Sequence, residues 1–312
     1  MRVLSEVSPS ILVQRNALAE QFQTAKPFRH VVADGFLVDA FAQALLTEFP
    51  AFDESRAVNE AGEIGRKAVV ERIRSLGNTY RRLDALVRSA DFLALISQIT
   101  GIPDLLYDPH YFGGGTHDNG EGQDLDPHVD FNRHPVEAWH RRLNLIIYLN
   151  CEWHDAWGGA LELHSDPRAD DDHIKLIAPL FNRCVIFETT ESSWHGFSRI
   201  SLPEGSRDVS RKSVALYFYT RERPAEETGD THSTIYVDRP LPERIAPGYL
   251  LKDRDIDELH ALLARRDQHN QRLYRDLTAL QARLDHADAA LLAGWLGRLR
   301  YLASRLLRAI KR

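Results

Sequence analysis

The sequence predicts an α+β protein: a double-sheet jelly roll buttressed by N-terminal helices, with a C-terminal helical extension. Three observations support this fold class. Apolar residues of the first hundred positions recur at spacings of three and four, which is typical of helices packed on a core. From Leu105 to Thr220, short β-prone runs alternate with Gly, Pro, Asn and Asp clusters, as in closely spaced antiparallel strands. Residues 253–312 contain no proline and keep a helical pattern.

Composition narrows the class of protein. The 312 residues are 43% hydrophobic and carry a formal charge of −6, so the chain can bury a large core and is not built to coat nucleic acid. No run reaches the ~18 apolar residues of a membrane span. Charges scattered through the first 27 residues argue against a secretory signal. Two cysteines, Cys151 and Cys184, cannot form a disulfide framework, so we expect a reducing, cytoplasmic location.

The first third of the chain predicts helices around one or two short strands. Residues 1–26 form a helical lead, and Pro50 and the Gly101–Pro103 pair are expected to end helices. The predicted elements are a strand opening 28–37, a helix over 39–49, a short strand within 68–73 and one helix over 80–99.

The jelly-roll domain is predicted over residues 27–222. Its expected strands are 105–112, 128–131, 143–149, 159–164, 174–178, 184–188 and 214–219. Two polar loops between them, Gly113–Asp126 and Ser165–His173, are lid candidates because of their length and glycine or acidic content.

A Pro-rich connector, 223–250, leads to the helical tail, 251–312. Heptad spacing of leucines through 253–291, interrupted by Arg266 and Asn270, predicts a coiled coil or helical hairpin, and thus self-association or packing on the catalytic body. From Arg298 to Arg312 there are six basic residues and no acid, opposite an apolar stripe that begins at Trp295. This end fits either peripheral membrane contact through 295–312 or docking on a protein surface.

Most familiar catalytic motifs are missing. Cys184 lies in an apolar strand, where a free cysteine is usually a small buried hydrophobe. The run Gly113–Gly115 lacks the Lys-Ser/Thr that a phosphate loop requires, and two cysteines do not supply a zinc knuckle. Histidine with carboxylate remains. On a strand, His-x-Asp places both side chains on one face, and a further histidine completes a 2-His-1-carboxylate triad suited to Fe(II).

Three His-x-Asp pairs compete for this role. His286 and Asp288 lie in the helical tail, where residues i and i+2 do not share a face. His164 and Asp166 run into an acidic loop and remain an alternative. We favour His128 and Asp130, which open a strand run after Pro127.

A third ligand and an anion partner follow later in the chain. His195, in SSWHGF, comes after an apolar strand. Alternation along the next strand places Arg211 and Ser213 on one face, a fork and a hydroxyl suited to a carboxylate. The alternative for Arg211 is a surface charge at a strand edge, and Arg207 is a lesser candidate for the same role.

Residues 28–222 resemble the Fe(II)/2-oxoglutarate-dependent oxygenases of the prolyl 4-hydroxylase-like branch. The resemblance is carried by the ordered motifs FRHVVADGFL, HVDFN, LNLIIYLN, WGGALELH, PLFNRCVIFETTESSWHGF and RKSVALYFY. It implies Fe(II), 2-oxoglutarate and O₂ as cofactors. His128, Asp130 and His195 match the family's iron ligands, and Arg211 with Ser213 matches the residues that bind the far carboxylate of 2-oxoglutarate. Tyr148 and, upstream, Tyr111 match tyrosines whose hydroxyls contact the co-substrate.

The activity implied is hydroxylation of an unactivated C–H bond, with release of succinate and CO₂. The substrate stays open among a prolyl residue, a sugar, a lipid-linked glycan and a small amine. Two other functions also stay open: a cupin-like metal-dependent isomerase, and a non-catalytic jelly-roll module tethered by its helical tail. We expect no nucleic-acid partner, and a location in the cytoplasm or at the inner face of a membrane.

Overall fold

The structure is a computed structural model that describes residues 4–51, 67–206, 209–242, 244–294 and 299. Contacts divide the chain into two compact units, Met1–Pro240 and Leu241–Arg312. Two predictions lie outside the described residues: the lesser anion-binding candidate Arg207, and the basic end 295–312 apart from residue 299. In the part of the chain that the structure describes, no helix combines the length and apolar character needed to span a membrane.

The described residues 4–51 and 67–100 contain four α-helices: α1 Pro9–Thr24, α2 Asp39–Thr47, α3 Asn78–Val87 and α4 Ala90–Thr100. The prediction of one helix over 80–99 is wrong. Ser89 has an extended backbone (φ −72°, ψ 144°), and its hydroxyl accepts a hydrogen bond from the Phe92 N–H. Such an N-cap ends one helix and starts another, a local choice that apolar periodicity does not reveal. Gly101 then ends α4 in the left-handed conformation, at φ 73°.

Among the residues that the structure describes, twelve strands form two antiparallel sheets, which confirms the predicted jelly-roll class. In chain order they are β1 His30–Ala33, β2 Lys67–Val70, β3 Leu106–Tyr107, β4 Gly115–Asn119, β5 Leu125–Val129, β6 His140–Tyr148, β7 Leu161–His164, β8 Ile174–Ile177, β9 Cys184–Glu188, β10 His195–Phe197, β11 Arg211–Thr220 and β12 Ile235–Tyr236. The major sheet has the order β1-β9-β6-β11-β4-β2, with β3 paired to β11, and the minor sheet has the order β12-β5-β10-β7-β8.

The two faces of the major sheet build two different cores. Leu143, Leu145 and Ile147 on β6 join a large cluster that includes the buried faces of the four helices. Tyr148 on the same strand lies in a second cluster with residues of β7 and β9. This alternation follows from the two-residue period of a strand, and it places the second cluster on the side of the minor sheet.

The prediction of a loop over Gly113–Asp126 is wrong. Residues 115–119 form β4, which pairs with both β11 and β2. A Cβ atom on Gly115 would lie 2.2 Å from the Val70 carbonyl oxygen, and φ is +91°. The glycine therefore permits the close approach of β2 to β4. Because β4 is paired on both sides, most of this segment cannot act as a lid.

Two short strands were not predicted. β12 lies inside the expected Pro-rich connector, and the three residues of β10 are too few to show alternation. Tertiary pairing creates both of them, since each lies against β5 in the minor sheet.

The unit Leu241–Arg312 is dominated by one helix, α5 Asp253–Ala293. Its start is firmly held, because Asp255 is fully buried and accepts hydrogen bonds from the Lys252 N–H, the Tyr249 hydroxyl and the Arg244 Nε. These bonds lower the pKa of Asp255 to about 2.

Candidate metal centre

The three predicted ligand residues lie together in the minor sheet. His128 on β5 stands directly opposite His195 on β10, with their ring centroids 4.2 Å apart. Asp130 follows the end of β5, so the His-x-Asp spacing carries its carboxylate to the same side as His128. The Asp130 oxygens lie 3.7 Å from His128 Nε2 and 3.4 Å from His195 Nε2. One donor atom from each residue lies within 4.8 Å of the others, which is the arrangement of a metal site.

The backbone selects which imidazole nitrogen is available. His128 Nδ1 lies 2.9 Å from the Asp126 carbonyl oxygen, and His195 Nδ1 lies 2.9 Å from the Ser193 carbonyl oxygen. A carbonyl only accepts hydrogen bonds, so both rings carry their proton on Nδ1. The unprotonated Nε2 atoms of both rings therefore face the Asp130 carboxylate and are the nitrogen donors of the candidate metal site.

Two side chains that the sequence did not indicate hold the carboxylate of Asp130. Its Oδ2 atom accepts a hydrogen bond from Asn144 Nδ2 at 2.7 Å and forms an ion pair with Arg141 Nη2 at 3.0 Å. Burial opposes ionisation of Asp130, but the neighbouring Arg141 guanidinium holds its pKa well below the ordinary value. The carboxylate is thus ionised, and its Oδ1 atom is available to a metal ion.

Strand alternation would place Arg141 and Asn144 on opposite faces of β6. The register between β6 and β11 shifts here, because Phe218 pairs with Leu143 while Tyr219 pairs with Arg141. A bulge of this kind turns a side chain to the other face and often lies beside an active site. Arg141 is fully buried, and its guanidinium carbon lies 3.6 Å from the Tyr217 ring centroid.

A buried cation faces the same inter-sheet space. Arg211, at 5% exposure, donates from Nε to the Gly159 carbonyl and from Nη2 to the Tyr148 hydroxyl, at 2.6 and 3.0 Å. Within the described part of the chain it forms no ion pair, and burial lowers its pKa. A buried guanidinium without an acidic partner is costly, and an anionic ligand would offset that cost.

Contacts along β10 and β11 relate this cation to the ligand histidines. The guanidinium carbon of Arg211 lies 4.3 Å from the ring centroid of Phe197, which shares a strand face with His195, about 7 Å along β10. Ser213, 2% exposed, pairs directly with Tyr148 across β6 and β11. Arg211 is thus hydrogen-bonded to Tyr148, and Ser213 is the cross-strand neighbour of Tyr148, whereas binding of the co-substrate by these three residues stays a prediction.

Tyr111 does not join this cluster. Its hydroxyl donates to Asp84 Oδ1 on α3, at 3.0 Å, and its ring belongs to the core shared with the helices. This placement argues against the predicted contact with the co-substrate. The partner of Tyr111 is Asp84, which is 27 residues earlier in the chain. The local spacing of residues around β5 could not show this contact.

The alternative pair does not form a ligand set. His164 Nδ1 lies 2.6 Å from Asp172, its Nε2 lies 3.5 Å from Glu162, and Asp166 instead accepts the Arg168 N–H. Burial disfavours the charged form of His164, but the two acids raise its pKa above the ordinary value. His164 is therefore part of a buried ionic network that closes the loop after β7.

Arg239 ties the ligand-bearing strands together and was also missed from the sequence. Its Nη2 atom donates to the carbonyl oxygens of Leu125 on β5 and Phe197 on β10, at 3.2 and 3.0 Å, and to Glu162 on β7 at 2.7 Å. One side chain outside the predicted domain thus links three strands of the minor sheet. The residues around Arg239 form a Pro-rich segment, and nothing in that local sequence indicates that the arginine bonds to three strands.

The family model described as the 2OG-Fe(II) oxygenase superfamily matches residues 114–219. This segment contains all three metal-site residues, together with Tyr148, Arg211 and Ser213. Residues 114–219 are thus similar to this superfamily, which confirms over that segment the resemblance predicted from the motifs. Members of the superfamily use Fe(II), 2-oxoglutarate and O₂. Two imidazole nitrogens and one carboxylate oxygen suit Fe(II) and leave coordination positions open, and the buried Arg211 suits a dicarboxylate, so these residues fit both groups.

Proteins similar to this chain include a mouse protein named prolyl 3-hydroxylase OGFOD1, 30% identical over 138 residues. The match covers 39% of this chain, and the chain spans about a quarter (23%) of the length of that relative. Similar solved structures include a Trichoplax adhaerens prolyl hydroxylase in complex with a hypoxia inducible factor peptide fragment (TM-score 0.46, 16% identity, covering 68% of this chain and 93% of that chain). Another is a Phytophthora capsici prolyl 4-hydroxylase (TM-score 0.44, 19% identity, covering 85% and 74%).

Proposed function

We propose that this protein is an Fe(II)- and 2-oxoglutarate-dependent hydroxylase that releases succinate and CO₂. One observation carries the proposal: three metal donors converge in the minor sheet beside a buried guanidinium that forms no ion pair among the described residues. A metal site alone would fit many enzymes. The additional buried cation matches the far carboxylate of a dicarboxylic co-substrate.

The chain would hold its cofactors with separate sets of groups. The Nε2 atoms of His128 and His195 and the Oδ1 atom of Asp130 would bind Fe(II). Arg211, with the Tyr148 hydroxyl and Ser213, would bind and orient the far carboxylate of 2-oxoglutarate. When bound, Fe(II), 2-oxoglutarate and O₂ supply the oxidising chemistry that hydroxylates a C–H bond.

Positioning and water exclusion are the protein's own contributions. Arg141 and Asn144 fix the plane of the Asp130 carboxylate, so that the metal meets one preset oxygen. The rings of Phe187, 4.7 Å from His195 between centroids, and Phe197 line the interior of the site. Apolar walls keep water from the reacting groups and hold the co-substrate in one orientation.

The substrate class we propose is a prolyl side chain of a protein. Its support is the name of the mouse relative, a prolyl 3-hydroxylase 30% identical over the matched segment. A sugar, a lipid-linked glycan and a small amine are the alternatives that a substrate survey would test. The survey measures succinate release above the substrate-free rate for each class.

The decisive experiment is an anaerobic titration of the protein with Fe(II) and then 2-oxoglutarate. We expect a weak visible charge-transfer band, and succinate release after O₂ is admitted. His128→Ala should abolish both signals, whereas His164→Ala, the matched control outside the triad, should retain them. Absence of band and succinate would favour a binding module. Bound metal with activity independent of 2-oxoglutarate would favour a cupin-like isomerase.

Cellular location stays a prediction. Two free cysteines, one exposed and one buried, support a reducing cytoplasmic compartment. Peripheral membrane contact through 295–312 also stays a prediction.

A further inference from the structure

Helix α5 carries a long apolar stripe that faces solvent. Its 41 residues span about 60 Å. The stripe is formed by exposed side chains, each 42–62% exposed: Ile256, Leu263, Leu273, Leu277, Leu280 and Leu284. A polar helix of this length gains little from propensity alone, so such a stripe needs a partner surface.

The apolar stripe follows a heptad from Ile256 to Ala287, with Ile256 at an a position and Leu259 at a d position. Arg266 and Asn270 are the two polar residues at seam positions within this range. The a positions are Ile256, Leu263, Asn270, Leu277 and Leu284, and the d positions are Leu259, Arg266, Leu273, Leu280 and Ala287. A sustained 3.5-residue period matches a left-handed coiled coil rather than packing on a globular surface.

We propose that α5 pairs with α5 of a second copy of this chain in a parallel, in-register, two-stranded coiled coil. The two polar seam positions favour this arrangement. Asn270 at an a position meets Asn270 of the second copy, where the two amides can bond each other, and a single such Asn sets register and a two-stranded state.

Arg266 fits the same register. In a parallel pair a d side chain packs into a hole formed by four residues of the facing helix. For Arg266 these are Leu263, Arg266, Asp267 and Asn270 of the second copy. The two Arg266 guanidiniums meet in this layer. The Asp267 carboxylate and the Asn270 amide of the facing helix offset their repulsion, while the alkyl stem packs on leucine. An antiparallel pair centred on the helix would instead set Arg266 near Leu280 and Asn270 near Leu277, which leaves both polar groups against apolar ones.

Charges beside the seam are compatible with this pairing. In a parallel pair each g position lies near the e position five residues later on the other helix. These pairs are Leu262–Asp267, His269–Tyr274, Asp276–Gln281 and Arg283–Asp288, whereas Asp255, at the first g position, is buried at the start of the helix. None of them brings like charges together, and Arg283–Asp288 is an opposite-charge pair that occurs twice in the dimer.

Sedimentation of the full chain tests the dimer. We expect a species of twice the 35.6 kDa chain mass that dissociates on dilution. Leu280→Asp at a d position should raise the dissociation constant about 100-fold or more. Ala282→Asp, on the outer f position, places the same residue in the same helix and should change it by less than about 3-fold. A monomer at all concentrations, or equal effects of the two variants, would overturn the proposal.

Cross-linking tests the orientation. In a Cys151→Ser background that keeps Asn270, Leu277→Cys at an a position should form an inter-chain disulfide under mild oxidation, whereas Thr278→Cys on the outer b position should not. Failure of Leu277→Cys to cross-link in a chain that still dimerises would overturn the parallel register. Neither readout involves 2-oxoglutarate, so failure here is distinct from failure of the proposed function.

Discussion

Replacing Arg211 with methionine separates a ligand-binding role from a structural one. Methionine keeps much of the length of the side chain but removes its charge. In the ligand-free protein the substitution removes two hydrogen bonds, to the Gly159 carbonyl and the Tyr148 hydroxyl. Each is worth about 1 kcal/mol net, and relief of a buried charge works in the opposite direction. We therefore expect the free energy of unfolding to change by no more than about 2 kcal/mol.

The effect on co-substrate binding should be larger. A guanidinium that binds a carboxylate with two charge-assisted hydrogen bonds contributes about 3 kcal/mol or more. The dissociation constant of 2-oxoglutarate should therefore rise about 100-fold or more in Arg211→Met. Metal affinity should not change, because the contacts of Arg211 involve none of the three ligand side chains.

Calorimetry on protein loaded with a redox-inert divalent metal such as Zn²⁺ measures binding without turnover. Pyruvate is the matched control ligand, since it keeps the keto-acid end of 2-oxoglutarate and lacks the far carboxylate. The variant should lose affinity for 2-oxoglutarate and keep its weak affinity for pyruvate. Unchanged 2-oxoglutarate binding, or an equal loss for both ligands, would refute the assignment of Arg211.

Three further predictions concern neighbouring groups. Tyr111→Phe should lower the free energy of unfolding by about 1 kcal/mol and leave 2-oxoglutarate affinity unchanged, whereas Tyr148→Phe should weaken that affinity about 10-fold. Asn144→Ala should weaken metal binding about 10- to 100-fold, because the Asp130 carboxylate could then rotate away from the orientation that binds the metal. Asn150→Ala, whose amide bonds only to the backbone, should lower stability alone. His164→Gln should destabilise the fold most below about pH 6.5, where a histidine with a raised pKa contributes fully, and progressively less as the pH rises through that pKa.

Each of these predictions has an outcome that contradicts it. Weaker 2-oxoglutarate binding in Tyr111→Phe would mean that the Tyr111 hydroxyl contacts the co-substrate. Equal losses of metal affinity in Asn144→Ala and Asn150→Ala would reduce the former to a general packing effect. Urea unfolding at several pH values measures the destabilisation caused by His164→Gln. If that destabilisation grows toward alkaline pH, the neutral imidazole is the stabilising form.

Local sequence determined more of the site than of the fold. His128 and Asp130 share a strand face by spacing alone, and Arg211 and Ser213 do the same, so each pair could be predicted from the two-residue period of a strand. The heptad of α5 is equally local, because the seam depends only on residues three and four apart. The jelly-roll class followed from the same periodicity, through the number and length of the β-prone runs.

Only the tertiary structure decided which groups meet across strands. The β6 bulge that brings Arg141 to Asp130, the pairing of His195 with His128 and the reach of Arg239 over three strands all depend on registers between segments far apart in the chain. Packing also moved a predicted group out of the site. Tyr111 lies at a position that matches the motif, but its hydroxyl donates to Asp84 on α3. Periodicity reports which way a side chain leaves its own backbone. The partner it finds there is set by how whole elements pack, and no single segment contains that information.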